Sequence, residues 1–197
     1  MSSTQLDDQQ DKIRLGLIVG TTRPGRLSAP ISQWLLTHLE NDGRFDVTVL
    51  DLAEINLPLF DEPHHPRLQR YEHDHTKAWS QQVAAQDAFI FMTAEYNHSI
   101  PASLKNAIDY LSVEWGNKPA SIVSYGGISA GIRAAEHLQS VLGALGMKIT
   151  PNAVTIPFHF QRIDEAGFHA TDIENQSATN ALNDLAEWDR TLRPLRG

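Results

Sequence analysis

Five short apolar runs, each followed by a segment with helical periodicity or a loop leading to one, constrain this chain more than any other feature. The runs are "IRLGLIV" (Ile13–Val19), "FDVTVLDL" (Phe45–Leu52), "AFIFMT" (Ala88–Thr93), "ASIVSY" (Ala120–Tyr125) and "KITPNAVTI" (Lys148–Ile156). Several are almost continuously apolar, as strands covered on both faces must be. Between them lie helix signals. Ser28 can cap and Pro30 suits a first turn, with Ile31, Leu35 and Leu39 on one stripe. Asp74 can cap a helix carrying Trp79 and Val83. Leu104, Ala107, Ile108 and Leu111 share a face, as do Ile132, Ala135, Leu138, Leu142 and Leu145, and then Ala178, Leu182, Leu185 and Leu192. Strands alternating with helices predict a parallel sheet with helices on both faces, and right-handed crossovers restrict its topology.

Two strand orders suit such a chain. The Rossmann dinucleotide order needs G-x-G-x-x-G after the first strand, but Gly16 lies inside that strand and Gly20 is too far from it. The flavodoxin-like order 2-1-3-4-5 needs only five strands and is the expectation: an α/β three-layer sandwich over residues 12–197, one domain, preceded by a disordered tail at 1–11. In that order strands one, three and four are neighbours. Their carboxyl ends lead into "GTTRPGRLS", "AEYNHSIP" and "YGGISAG", so the most polar, glycine-bearing loops converge on one crevice.

Composition narrows the partners. The 197 residues carry a net charge of -8 and no basic run, which sets nucleic acid and anionic membranes aside. No cysteine is present, which removes disulfides, thiolate metal sites, iron–sulfur clusters and thiol catalysis. A cysteine-free chain with a polar, acidic start and no long apolar stretch is expected in the cytoplasm.

The first loop has the glycine spacing of a nucleotide-binding P-loop, but Arg26 and Leu27 stand where that motif needs lysine and a hydroxyl residue. Magnesium triphosphate is poorly served. A terminal monophosphate needs no metal and suits what remains: the Thr21, Thr22 and Ser28 hydroxyls, the flexible Gly25, a helix N-terminus, Arg23 and Arg26. A plain strand–helix turn with solvated arginines is the competing reading.

"GTTRPGR", "AEYNHSIPASLKNAIDYL" and "SYGG" together resemble the NADPH-dependent FMN reductases, a flavodoxin-like family that includes quinone, azo-dye and chromate reductases. The middle motif is the most specific. The chain departs from the family at Thr21, where serine is frequent, and at Ala94, where proline is usual. The resemblance implies that Thr21, Arg23, Arg26, Leu27 (through its backbone) and Ser28 hold the 5′-phosphate of FMN. It sets Glu95, Tyr96, Asn97 and His98 along the isoalloxazine ring, and Ser124, Tyr125, Gly126 and Gly127 at its pyrimidine end. It further implies NAD(P)H as co-substrate and hydride passed to FMN N5. A ping-pong return then reduces a quinone, azo compound, free flavin or metal oxyanion, in a homodimer or homotetramer. The flavin does the redox chemistry in such enzymes, so no catalytic acid, base or nucleophile is assigned. Two alternatives are a flavodoxin-type electron carrier without nicotinamide activity and a flavin-free regulatory protein of the same fold.

Other polar clusters carry less. Lys105, Asn106 and Asp109 read as helix-surface or loop-bracing residues. The segment from Ala53 to Asp74 is long enough to be functional or disordered. Its histidines (His64, His65, and nearby His73 and His75) lack the spacing of a metal site, and none is assigned. Tyr71 and Trp115 could cover a flavin, though core packing is the commoner fate of an isolated aromatic. Arg133 and His137 are candidates for a nicotinamide 2′-phosphate contact.

Overall fold

The computed structural model describes residues 12–196, so the expected tail at 1–11 lies outside the described residues. Its strands are β1 (Ile13–Val19), β2 (Phe45–Asp51), β3 (Ala88–Ala94), β4 (Pro119–Gly126), β5 (Lys148–Ile149) and β6 (Val154–Pro157). The sheet runs β2-β1-β3-β4-β5, with β6 also on β4, and every pairing is parallel. This is the flavodoxin-like order that the sequence predicts.

Pleating sorts the side chains onto two faces. Leu15, Leu17 and Val19 of β1 point with Ile90, Met92, Val123 and Tyr125 toward one layer. That layer comprises α1 (Ser28–Asn41), through Ile31, Leu35 and Leu39, and α6 (Asp172–Leu192), through Ala178, Leu182 and Leu185. Ile18, Phe89, Phe91 and Ile122 face the other way. There they meet α3 (Asp74–Ala84), α4 (Ala102–Asp109) and α5 (Ile132–Ala144). β3 and β4 are buried along their whole lengths, which accounts for their mostly apolar sequence.

The fifth run departs from expectation. Lys148–Ile156 is two short strands, not one. Pro151 has no N–H for a ladder. The backbone turns away there to bond Asp184, whose carboxylate accepts from Asn152 N at 3.0 Å. Other boundaries move by one residue. Leu52 leaves the second strand to begin α2 (Leu52–Ile55), and His73, not Asp74, precedes α3. Ile132, expected on the buried stripe of α5, is 47% exposed. A two-stranded hairpin, β7 (Ile163–Asp164) with β8 (Gly167–Phe168), was not foreseen; its Phe168 ring meets Trp34 edge-on at 5.5 Å.

Gly16 has a packing reason to sit in β1. A methyl group there would lie 2.8 Å from two carbons of the Phe89 ring. Gly16→Ala should therefore overpack this face and cost about 1–3 kcal/mol. Urea unfolding should show a lower midpoint with an unchanged slope.

Candidate functional site

The first loop begins where the ladder is still being extended. Gly20 N donates to Met92 O at 2.9 Å, and Ser103 Oγ donates to the Gly20 carbonyl at 2.7 Å. Arg23-Pro24-Gly25-Arg26 then forms a type II turn. Arg26 N donates to Arg23 O at 3.0 Å, Pro24 presets the first central position, and Gly25 supplies the required positive φ of 70°. Helix α1 follows at once. Ser28, expected as its cap, is its first residue; Leu27 holds the cap position without a side-chain bond. The head of a 14-residue helix is thus left with its orphan N–H groups and its positive dipole end.

Three hydroxyls gather here. Ser28 is 0% exposed, and its Oγ lies against the Tyr125 hydroxyl without a hydrogen bond of normal geometry. Thr21 is 1% exposed, with Oγ1 at 3.2 Å from the Tyr125 hydroxyl. Burial pushes the Tyr125 phenol up to about 12, so it remains protonated at neutral pH. The structure thus sets the Tyr125 hydroxyl against the first loop, whereas the resemblance implies the far end of a flavin ring. Arg23 is exposed, with no side-chain partner among the described residues. Arg26 is engaged instead: its two Nη atoms donate to the two Asp51 carboxylate oxygens at 2.6 Å each, and Nη1 also donates to Thr21 O at 2.5 Å.

The second loop makes a tight reversal. Tyr96 N donates to Ser99 O at 2.8 Å and Ser99 N to Tyr96 O at 3.0 Å. Asn97 and His98 between them have φ of 50° and 67°, the pattern of a type I′ turn. Both are exposed, and neither backbone N–H has a partner among the described residues. Glu95 does not face outward like its neighbours. Its side chain is 8% exposed, accepting from Arg133 Nη1 at 2.8 Å and from Arg133 N at 3.2 Å. Burial alone would raise the carboxyl pKa, but its bonds with Arg133 and Ser129 hold it below the usual range. Glu95 therefore fastens the end of β3 to the start of α5.

The third loop is fastened the same way. Ser124 Oγ donates to Ala130 O at 3.0 Å. Gly131, at φ of 80°, lets the returning chain touch β4: a methyl there would lie 2.8 Å from Tyr125 N. Phe158 N donates to Gly127 O at 3.3 Å. His159 Nδ1 bonds the Gly126 carbonyl at 3.1 Å, and its ring meets Tyr125 edge-on at 4.9 Å. The carbonyl can only accept, so Nδ1 carries the proton. Burial pushes the His159 pKa down from the ordinary 6.5.

Sequence reasoning missed two of these residues. Asp51 carried a usable signal, an acid at the end of the strand beside the first loop; His159 carried none. Several other expectations resolve as architecture. Trp115 is 0% exposed among Trp79, Phe89 and Phe91, so it is core and covers no ligand. Tyr71 donates to Glu114 at 2.7 Å. Asn106 braces the long segment by bonding Pro58 O and Phe60 N, and Lys105 pairs with Asp109 on the surface. The neck of that segment is closed by Glu62, which accepts from Glu72 N and His73 N. His75 bonds Asp61 and His64 pairs with Glu72, and no three ligand-type side chains converge among the described residues. Arg133 is paired with Glu95, and His137 bonds Ser99. No helix among the described residues is long and apolar enough to cross a membrane.

The comparisons with known proteins give the family and the fold. Residues 13–161 match the family described as NADPH-dependent FMN reductase. The chain belongs to that family. It is therefore an oxidoreductase of the kind that uses FMN, with NAD(P)H as reductant. An NAD(P)H-dependent FMN reductase of Schizosaccharomyces pombe is 40% identical over 145 residues, 72% of each chain. A 2-hydroxy-1,4-benzoquinone reductase from a Burkholderia species is 28% identical, covering 92% of this chain and 98% of that one. In fold, the chain is similar to the flavoenzyme FerB, an NAD(P)H:(acceptor) oxidoreductase of Paracoccus denitrificans. The TM-score is 0.72 at 21% identity, over 91% of this chain and 98% of that one.

The donor set fits FMN at one identifiable point. A buried hydroxyl with no well-formed hydrogen bond, beside Thr21 and an uncapped helix start, matches the oxygens of a phosphate monoester. Ser28→Ala should leave the flavin-free protein close to its native stability, since no well-formed bond is lost with the hydroxyl. The same change should weaken FMN binding tenfold or more, from about 1.5–3 kcal/mol for a hydrogen bond to a charged group. Thermal melts of the flavin-free protein and an FMN titration read the two effects.

His159 predicts a pH effect. Its folded pKa is lowered, so on acidification the unfolded chain takes up the proton first. Stability should fall as pH drops below about 6.5, the ordinary imidazole value. His159→Gln should flatten that part of a melting-temperature profile.

Proposed function

We propose that this reductase serves NAD(P)H and its electron acceptor by turns in the crevice formed by the three loops. The observation that carries this reading is the buried Ser28 hydroxyl at the head of α1, without a well-formed hydrogen bond and set where the ends of β1, β3 and β4 meet. In this reading Thr21, Arg23, Leu27 and Ser28 hold the 5′-phosphate, with Arg26 shaping their loop. The free N–H groups of the Asn97–His98 turn, together with Glu95, Tyr96 and the Ser124–Gly127 backbone, border the ring. When bound, FMN supplies reversible two-electron storage. The protein positions, screens from water and donates hydrogen bonds; no side chain is assigned as acid or base.

Candidate acceptors are quinones, azo compounds, free flavin and metal oxyanions. The relative named for a benzoquinone favours the first. One shared crevice would admit the two substrates in turn, which is the reason for the ping-pong order. We further propose a cytoplasmic homodimer or homotetramer, as in the reductases the chain resembles; mass measured in solution checks this.

Steady-state rates with NADPH and 2-hydroxy-1,4-benzoquinone varied together should give parallel double-reciprocal lines. Intersecting lines would mean that both substrates bind before reaction, contradicting the shared crevice. NADPH added without air should bleach the FMN-loaded protein, and the quinone should restore its colour. A protein that keeps its colour under NADPH is an electron carrier, not a reductase.

A further inference from the structure

The first loop contains two arginines, and the structure treats them differently. Arg23 is exposed, its side chain without a partner among the described residues. Arg26 is three-quarters buried, with 21% of its side chain exposed, and Asp51 is at 16%. The guanidinium meets the carboxylate in the two-pronged arrangement at 2.6 Å per bond, a geometry that lysine cannot reproduce. The same Nη1 reaches back across the turn to Thr21 O. Asp51 is itself fixed: it ends β2, is paired in register with Val19, and its Oδ1 also accepts from Ala53 N at 3.0 Å. A chain of bonds therefore runs from the end of β2, through Asp51 and Arg26, to the backbone of Thr21. The residue so fixed carries one of the hydroxyls nearest Ser28.

We propose that Asp51 is a positioning residue for the phosphate-binding loop: it holds Arg26 as a clamp on the Thr21 carbonyl, and leaves Arg23 as the cation that meets the phosphate. The proposal rests on the assignment of FMN phosphate to this loop and deepens it. Two features support it. A carboxylate facing a dianion directly would repel it, so Asp51 is tolerable here only with its charge cancelled by Arg26. A turn built on Gly25 is also free to open, and the clamp spans it from Arg26 to Thr21.

The clamp makes a prediction opposite in sign to that of direct contact. If Arg26 bound the phosphate itself, Asp51 would be its competitor, and Asp51→Asn would release the guanidinium and tighten FMN binding. If Arg26 is the clamp, Asp51→Asn loosens Thr21 and weakens binding. The test titrates flavin-free protein with FMN and, separately, with riboflavin, which lacks the phosphate, following flavin fluorescence at several salt concentrations. Asp51→Asn should raise the Kd for FMN about tenfold and that for riboflavin little. Arg26→Lys should weaken FMN binding as Asp51→Asn does, because a point charge cannot make the fork. The double change Arg26→Gln with Asp51→Asn, which removes both charges of the pair, should keep the salt dependence of FMN binding, whereas Arg23→Gln should flatten it and abolish most of the preference for FMN over riboflavin.

Melting temperatures of the flavin-free variants accompany the titrations. Should Asp51→Asn melt too low to titrate, the Arg26→Lys and Arg23→Gln comparison decides alone. Tighter FMN binding by Asp51→Asn, or near-native FMN affinity in Arg26→Lys, overturns the clamp while leaving the phosphate assignment standing. Equal affinity of the unaltered protein for FMN and riboflavin overturns both.

Discussion

Burial of β1, β3 and β4 on both faces is the constraint from which the rest follows. Leu15, Leu17 and Val19 are held from one side, and Ile18 and the phenylalanines of β3 from the other. A strand gripped by side chains above and below cannot slip by one residue without inverting every contact. The parallel registers are correspondingly definite, with Val19 opposite Met92 and Ala94 opposite Tyr125. Three loops therefore leave the sheet from fixed, adjacent points, and the crevice between them is set before any loop residue is considered.

What the loops add is restraint, and each restraint comes from another element. Ser103 of α4 holds Gly20, Asp51 of β2 holds Arg26, and Arg133 of α5 holds Glu95. Ala130 receives Ser124, and His159 reaches Gly126 from beyond β6. Subtracting the groups so occupied leaves, among the described residues, a remainder that includes the Ser28 hydroxyl, the Arg23 guanidinium, the first N–H groups of α1 and the two N–H groups of the Asn97–His98 turn. This remainder is donor-rich, as a phosphate and a ring bearing carbonyls and imine nitrogens require.

Strand order and the meeting of the loops were legible in the sequence because two-sided burial writes itself as unbroken apolar runs. The type II turn was legible in part, since a proline–glycine pair has few other uses. The roles of individual polar residues were not. Glu95 and Ser124 stand in motifs that suggest contact with a ligand, yet both spend their hydrogen bonds on the fold. Nothing local separates the two uses, because the deciding partner lies elsewhere in the chain: Glu95 and Arg133 are 38 residues apart, Arg26 and Asp51 are 25. The broken fifth strand was overlooked for a different reason. Pro151 was a sufficient warning, but the apolar residues on either side masked it. The capping box of Thr171 and Glu174 and the hairpin before it were likewise readable and passed over.

The bare hydroxyl of Ser28 also bears on the life of the protein before it is loaded. A buried oxygen without a well-formed hydrogen bond is a penalty on the empty fold, lifted when a partner arrives. Newly made chains that have not met their prosthetic group thus open more readily and fall to proteases sooner. How much enzyme a cell keeps would then follow how much riboflavin phosphate it makes, with no dedicated regulator needed.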